Sequence, residues 1–272
     1  MAKRKLAIFT VIQNEPEFLP KWLAHYATQV DQADIYILHH AVPTAYEGYL
    51  WELVDSSDSQ YGGVTVVPIR NDLSFDHRWL ADIVSQFQGF LLQSYKWVLF
   101  AEADELVAAA GVVGGLRGYV DRLDAANFSA AAVCRGYEVV HRVDEPPLRL
   151  DEPWLPQRSW WTPNRMYSKT LLAKVRLQWT PGFHGCDHLW NNEPPGDLYL
   201  VHLKKVDFDT AMVRSRRTAA RDWSPADVAS GAGGQNRIVD EAEMRRYFDA
   251  DIDAPAKLAP LVRMPDWVKD LA

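Results

Sequence analysis

The chain reads as an α/β protein with a mainly parallel sheet flanked by helices. Three observations predict this. Leu6–Ile12 is an unbroken apolar run of strand length, the pattern of a strand buried on both faces. Phe18, Leu19, Trp22, Leu23 and Tyr26 then fall at helical spacing, and Asp34–His39 is a second strand. This β-α-β order within some forty residues calls for a right-handed crossover and a parallel sheet.

The elements follow in turn. Asn14-Glu15-Pro16 ends the first strand, and a helix is expected over 16–29. His39 to Pro43 starts a loop, and a helix covers 45–54. Gly62-Gly63 turns into a third strand, Val64–Ile69. Asn71–Phe75 is a polar loop before a helix over 77–94, and Trp97–Ala101 is a fourth buried strand. Beyond it a helix is expected over 112–123 and strands over 130–140, 168–177 and 198–203. Asp144–Pro163 holds five prolines and three tryptophans and reads as a long irregular loop. Phe208–Arg221 reads as a helix with a basic face, and Ser230–Gly234 separates it from a short helical tail. The expected organisation is a core domain over 1–205 and a small helical C-terminal extension over 206–272 packing on it.

With 272 residues, 48% hydrophobic and 24% charged, the composition is that of a globular protein. A net charge of −7 argues against nucleic acid as a partner and against an anionic membrane surface. No apolar run reaches the ~20 residues a bilayer span needs. Met1–Ile12 lacks a cleavage site and reads as a first strand rather than a leader. A cytoplasmic protein is expected, with any membrane contact peripheral. The two cysteines, Cys134 and Cys186, show no zinc spacing, and a reduced compartment is the simpler reading.

The chemistry concentrates where the fourth strand ends. Glu102, Asp104 and Glu105 crowd into four residues at its carboxyl end, where ligands of open α/β sheets sit. Asp104 is the candidate metal ligand, since Mg²⁺ and Mn²⁺ bind through one or two carboxylates plus substrate phosphates. Glu102 would meet ribose hydroxyls or a metal-bound water. A solvated acidic turn is the bland alternative. Asn14 and Glu15 would hydrogen-bond a base or ribose, or simply cap a helix. His202, at the end of an apolar strand, would complete a Mn²⁺ site; a core histidine is the alternative. Lys169 would neutralise a diphosphate, against the plain reading of a solvated strand face. Lys204, Lys205, Arg214, Arg216, Arg217 and Arg221 form a charge run that is either solvated or flanks a phosphate site.

In their order along the chain these segments resemble glycosyltransferases of the GT-A (Rossmann-like) fold, in particular the family 2-like and family 92-like group. The matching residues are Gln13-Asn14-Glu15 with Leu19-Pro20-Lys21-Trp22, then Glu102-Ala103-Asp104-Glu105, Ser168-Lys169, His184 and His202. The match covers about residues 5 to 215. Two positions depart from the family pattern: Glu102 stands in place of Asp, and Leu203 follows His202 in place of an aromatic.

The resemblance implies a metal-dependent, inverting transfer of a sugar from a nucleotide-sugar donor, UDP- or GDP-linked, to a hydroxyl of a glycan or glycoconjugate acceptor. It places Mn²⁺ or Mg²⁺ on Asp104 and His202, and the donor against Asn14, Glu15, Glu102 and Lys169. Inversion needs a general base. Asp187, Glu138 and His184 are candidates, with Asp187 preferred for its place between the Lys169 and His202 strands. The Trp154–Trp161 segment would wall the acceptor or pack as a loop. The competing readings are an inactive nucleotide- or glycan-binding module, a nucleotidyltransferase, which would carry a Gly-rich basic loop absent here, and a metal-dependent hydrolase built on His184, Asp187, His188 and His202.

Overall fold

The computed structural model describes residues 2–40, 47–55, 59–71, 74–128, 130–187, 196–252 and 261–271. The expected loop at 41–43, part of that at 71–75, and His188 lie outside the described residues. The chain runs β1 (Arg4–Ile12), α1 (Leu19–Tyr26), β2 (Ile35–His40), α2 (Glu47–Val54), β3 (Thr65–Ile69), α3 (His77–Leu91) and β4 (Tyr95–Phe100). It continues through β5 (Glu105–Ala109), α4 (Gly115–Ala125), β6 (Ala131–Val133), β7 (Arg135–Val139), β8 (Trp160–Pro163), β9 (Thr170–Ala173) and β10 (Leu198–His202). The last elements are α5 (Phe208–Ala219), α6 (Pro225–Ser230), α7 (Glu241–Ile252), β11 (Val262–Arg263) and α8 (Asp266–Lys269).

The architecture is mixed α/β with a mainly parallel central sheet. Its strand order is β3-β2-β1-β4-β9-β6; the first four are parallel, β9 runs antiparallel to β4, and β6 runs antiparallel to β9. All the parallel strands therefore end along one edge, at Ile69, His40, Ile12 and Phe100. β1 is the central member, and Leu6 through Phe9 are buried as its apolar run requires. α1 buries Leu19, Trp22, Leu23 and Tyr26, one apolar stripe at i, i+3, i+4 and i+7.

A second sheet, β11-β8-β7-β10-β5, starts where the first ends. The chain passes between the two sheets at 101–104, between β4 and β5, and again at Cys134, between β6 and β7. The single strand expected over 130–140 is thus two strands in different sheets. The β5 edge is closed by α1: the Tyr26 hydroxyl donates to the Glu105 carbonyl (3.1 Å) and accepts from the Val107 amide (2.8 Å). His25 Nε2 lies 2.9 Å from the Val107 carbonyl. These side chains take the place of a further strand at Glu105 and Val107.

The expected loop over 144–163 ends in β8, and its tryptophans are packed rather than displayed. Trp154 is 2% exposed and meets the Phe18 ring edge-on at 5.4 Å; Trp161 stacks on Tyr137 at 4.0 Å. The buried Arg158 donates to Asp207 (2.9 Å), tying this loop to the start of α5.

Past residue 205 the chain does two things. Phe208, Ala211, Met212, Ile238, Met244 and Phe248 form a small core of their own. Val262–Arg263 then pairs with β8, and Val268 joins the main core. The tail is therefore a helical unit followed by a return to the second sheet. Cys134 and Cys186 are not joined in a disulfide. Among the described residues no helix is long and apolar enough to cross a membrane.

Candidate active site

Strand register assembles the centre of the site. β10 runs antiparallel to β5 with His202 opposite Glu105, and parallel to β7 with His202 opposite Glu138. The Leu203 amide donates to the Asp104 carbonyl (2.8 Å). Asp104 and His202, 98 positions apart in sequence (202 − 104), thus meet at the carboxyl edge of the main sheet, with Asp104 Oδ2 3.6 Å from His202 Nε2. His202 Nδ1 lies 3.0 and 2.9 Å from the two Glu138 oxygens. A carboxylate can only accept, so Nδ1 carries the hydrogen, and the neutral form of the ring has its lone pair on Nε2. Burial disfavours the charged ring, but Glu138 and Asp104 outweigh it and raise the His202 pKa above its usual value. The Tyr167 ring stacks on the imidazole at 3.9 Å. Gly136 permits this, because a Cβ there would stand 2.2 Å from the Tyr167 backbone.

Asp104, His202 and Tyr167 face a crevice of about 280 Å³. One end is aromatic, with Phe75, His77 and Trp223 beside Val11, Ile12 and Gln13 at the tip of β1. The other end is a turn in which Phe183 takes a left-handed backbone (φ 59°), its ring held against Phe100 at 4.8 Å. That turn presents His184 to the crevice. His184 Nδ1 donates to the Met166 carbonyl (2.9 Å), which leaves Nε2 as an acceptor. Burial, helped by the charge of Lys169, moves the His184 pKa below its usual value, so the ring is neutral at pH 7.

α5 roofs the crevice. Ala211, Arg214, Ser215 and Thr218 sit at i, i+3, i+4 and i+7, and Arg221 follows just past the helix end. Arg214 donates through Nη1 to Asp104 Oδ2 and is bridged through Nε to Glu15 Oε2 (2.8 Å). Arg217 grips Glu17 with both terminal nitrogens (2.7 and 2.6 Å). Burial alone would raise the Asp104 carboxyl, yet Arg214 and His202 hold it well below the usual carboxylate range. Burial lowers Lys204 to about 8, with Arg214 adding repulsion. Burial likewise lowers Arg221 to about 10; Glu15 works against the shift, and Arg214 and Arg217 add to it.

The residues expected from sequence divide into three groups. Asp104, His202, Glu15 and Glu102 line the crevice together. Glu138 and Lys169 sit behind it. Glu138 is buried against His202 Nδ1 (2.9 Å) and lies outside the crevice lining. Lys169 is buried between Glu102 (2.7 Å) and Glu105 (2.6 Å), so its charge is already matched and is not offered to a diphosphate. Asp187 is exposed, outside the crevice lining, and accepts from the Gln178 amide (2.9 Å) in a local backbone pair. Asn14 also lies outside the lining, with Oδ1 buried. Nor does any of Trp154, Trp160 and Trp161 reach the crevice. Sequence reasoning missed Tyr167 and the aromatic end; the inward stripe of α5 was visible only as a charge run.

A divalent cation is what the resemblance implies, and the donor set fits one. A 3.6 Å gap between Asp104 Oδ2 and His202 Nε2 suits two ligands sharing a cation at about 2.1 Å each. Among the described residues no group of three or more His, Cys, Asp or Glu side chains converges. Two side chains are enough for Mg²⁺ or Mn²⁺ when substrate phosphates and water complete the shell.

No family model matches the chain, and no curated protein matches it. Among solved structures it is similar to S. aureus TarS 1–349, at 8% identity and TM-score 0.35, over 93% of this chain and 75% of that one. It is also similar to a UDP-glucose pyrophosphorylase complexed with UDP-glucose (12% identity, TM-score 0.32, 96% and 92%). A third is mannose-1-phosphate geranyltransferase from Thermus thermophilus (13% identity, TM-score 0.31, 95% and 73%). Likeness at this level carries no argument about chemistry, which has to come from the crevice.

Proposed function

We propose that this protein is a glycosyltransferase that takes a sugar from a nucleoside diphosphate-sugar, with UDP- or GDP-sugars the expected donors, and passes it to an acceptor hydroxyl with inversion. One observation carries the reading. At the carboxyl edge of a parallel sheet, Asp104 and His202 face a wall of half-buried cations, Lys204, Arg214 and Arg221, in a crevice with an aromatic end. An acid-imidazole pair beside three convergent cations suits a diphosphate with a divalent cation. Phe75 and Trp223 offer apolar faces to a base, and Glu15 lies near enough to serve the ribose.

Each residue then has a job. Lys204 and Arg221 supply fixed positive charge where the leaving diphosphate gains negative charge. Glu138 holds His202 in the tautomer whose Nε2 faces Asp104. Asp104 and His202 would hold Mn²⁺ or Mg²⁺, which when bound would supply Lewis-acid stabilisation of negative charge on a departing diphosphate. His184 replaces Asp187 as the general base: its Nε2 takes the proton of the acceptor hydroxyl as the new glycosidic bond forms and the bond to phosphate breaks. Glu138 is a positioning residue in this scheme.

The test is thermal stabilisation by UDP and by GDP, with and without Mn²⁺, in the wild type and in Asp104→Asn. One nucleotide is expected to raise Tm by several degrees in the presence of Mn²⁺, and Asp104→Asn is expected to erase the metal-dependent part. If neither nucleotide stabilises the wild type under any condition, the transferase reading falls.

A further inference from the structure

Asp104 Oδ2 has two suitors. It is the oxygen nearest His202 Nε2, and it also accepts from the Arg214 guanidinium. Arg214 is gripped from the other side by Glu15 (2.8 Å) and lies over the Phe18 ring at 4.6 Å. A guanidinium and a divalent cation at one carboxylate oxygen repel each other strongly in a buried setting. Arg214 therefore stands where a metal-bound Asp104 cannot tolerate it. Its helix is anchored by the small separate cluster of Phe208, Met212, Met244 and Phe248 rather than by the main core. The guanidinium also has a natural destination, because planar bidentate donors suit phosphate oxygens and the crevice already gathers Lys204 and Arg221 on the same side.

We propose that Arg214 is the built-in counter-ion of Asp104, and that it leaves Asp104 for the donor diphosphate when a divalent cation is bound. This rests on the transferase reading for the identity of the anion, but not for the competition at Asp104. Cation and diphosphate then assist each other's binding through Arg214, because each removes an obstacle to the other. It also gives the free enzyme a reason to bind metal weakly: an internal cation already satisfies the carboxylate.

The experiment measures Mn²⁺ binding without nucleotide, from the electron-paramagnetic signal of free Mn²⁺, in wild type, Arg214→Gln and Arg214→Lys. Circular dichroism checks the fold of each. Arg214→Gln is expected to bind Mn²⁺ at least tenfold tighter than wild type, and the gain to vanish when Asp104→Asn is added. Arg214→Lys offers one ammonium in place of the separate Nε and Nη1 donors that hold Glu15 and Asp104, and is expected to bind Mn²⁺ more tightly than wild type, which keeps the test alive should the Gln variant not fold. With Mn²⁺ saturating each protein, Arg214→Gln is expected to lose at least tenfold in UDP affinity. Mn²⁺ affinity unchanged in folded Arg214 variants overturns the proposal, as does unchanged UDP affinity at saturating Mn²⁺. The Mn²⁺ arm involves no nucleotide, so failure of the transferase reading, seen as absent nucleotide binding in wild type, is distinguishable from failure here.

Discussion

Replacing Lys169 by Met separates a structural lysine from a substrate-binding one. Lys169 is 1% exposed, and its ammonium contacts Glu105 at 2.6 Å and Glu102 at 2.7 Å. Glu105 is fully buried, while Glu102 is partly open to solvent, so the Glu105 contact carries most of the energy. Without the ammonium, Glu105 keeps a hydrogen bond from the Glu102 amide (3.0 Å) but no opposing charge. Breaking one side of a buried pair costs about 3–5 kcal/mol. At ~2–4 °C per kcal/mol for a chain of this class, Tm should fall by about 10 °C.

Urea unfolding read by fluorescence gives the cost as a shift in midpoint at constant slope. Adding Glu105→Gln to Lys169→Met should recover a large part of the loss, since no buried charge is then left alone. The deficit of the single variant should also shrink between pH 7 and pH 5. The lone Glu105 carboxyl, pushed up by burial and by its acidic neighbours, takes up a proton in the fold before it does in the unfolded chain, and that relieves the penalty. A folded Lys169→Met within ~1 kcal/mol of wild type that has lost UDP binding would refute this reasoning. It would return Lys169 to the donor site, where the resemblance puts it.

Two further outcomes follow from packing and charge. Trp154→Ala empties a buried site against Phe18 and should cost ~3–5 kcal/mol in urea unfolding; a near-neutral change that instead weakens acceptor binding would restore Trp154 as an acceptor wall. His25 is buried between the carbonyls of Val107 (2.9 Å) and Leu271 (3.1 Å), and burial lowers its pKa below 6.5 despite both bonds. The unfolded chain therefore takes its proton first, so this contribution to stability is full above pH 6.5 and is lost as pH falls below it. His25→Gln should lose less stability than wild type between pH 7.5 and pH 5.5, and an equal loss in both would mean His25 is charged in the fold.

The parallel half was legible because apolar runs and helical stripes repeat there without interruption. β1 and the α1 stripe at Leu19, Trp22, Leu23 and Tyr26 come within a few residues of the expected spans. The second half was harder for physical reasons. Cys134 lies in an unbroken strand-like run, and only tertiary pairing shows the chain changing sheets there. β5 begins at Glu105, an acid that reads as a turn until Lys169 is seen opposite it. Asp104 and His202 stood out by residue type and position. The roles of Glu138, Lys169 and Asp187 did not, because whether a charged side chain faces a crevice or another charge depends on strand register.

That distinction also accounts for the departure at Glu102. The turn from Glu102 to Glu105 is closed twice, by the Glu105 amide on the Glu102 carbonyl (2.9 Å) and by the Glu102 amide on the Glu105 carboxylate (3.0 Å). Lys169 then ties both acids together from behind. An aspartate at 102 is one methylene shorter and, from the same backbone, would stop short of the ammonium that Glu102 meets at 2.7 Å. The longer acid lets one residue line the crevice and brace the turn at once. Asp104 is not part of that brace. Its carbonyl is pinned by Leu203 and its carboxylate is directed at His202 and Arg214, so the two glutamates provide the rigid support and the aspartate is left to face the crevice.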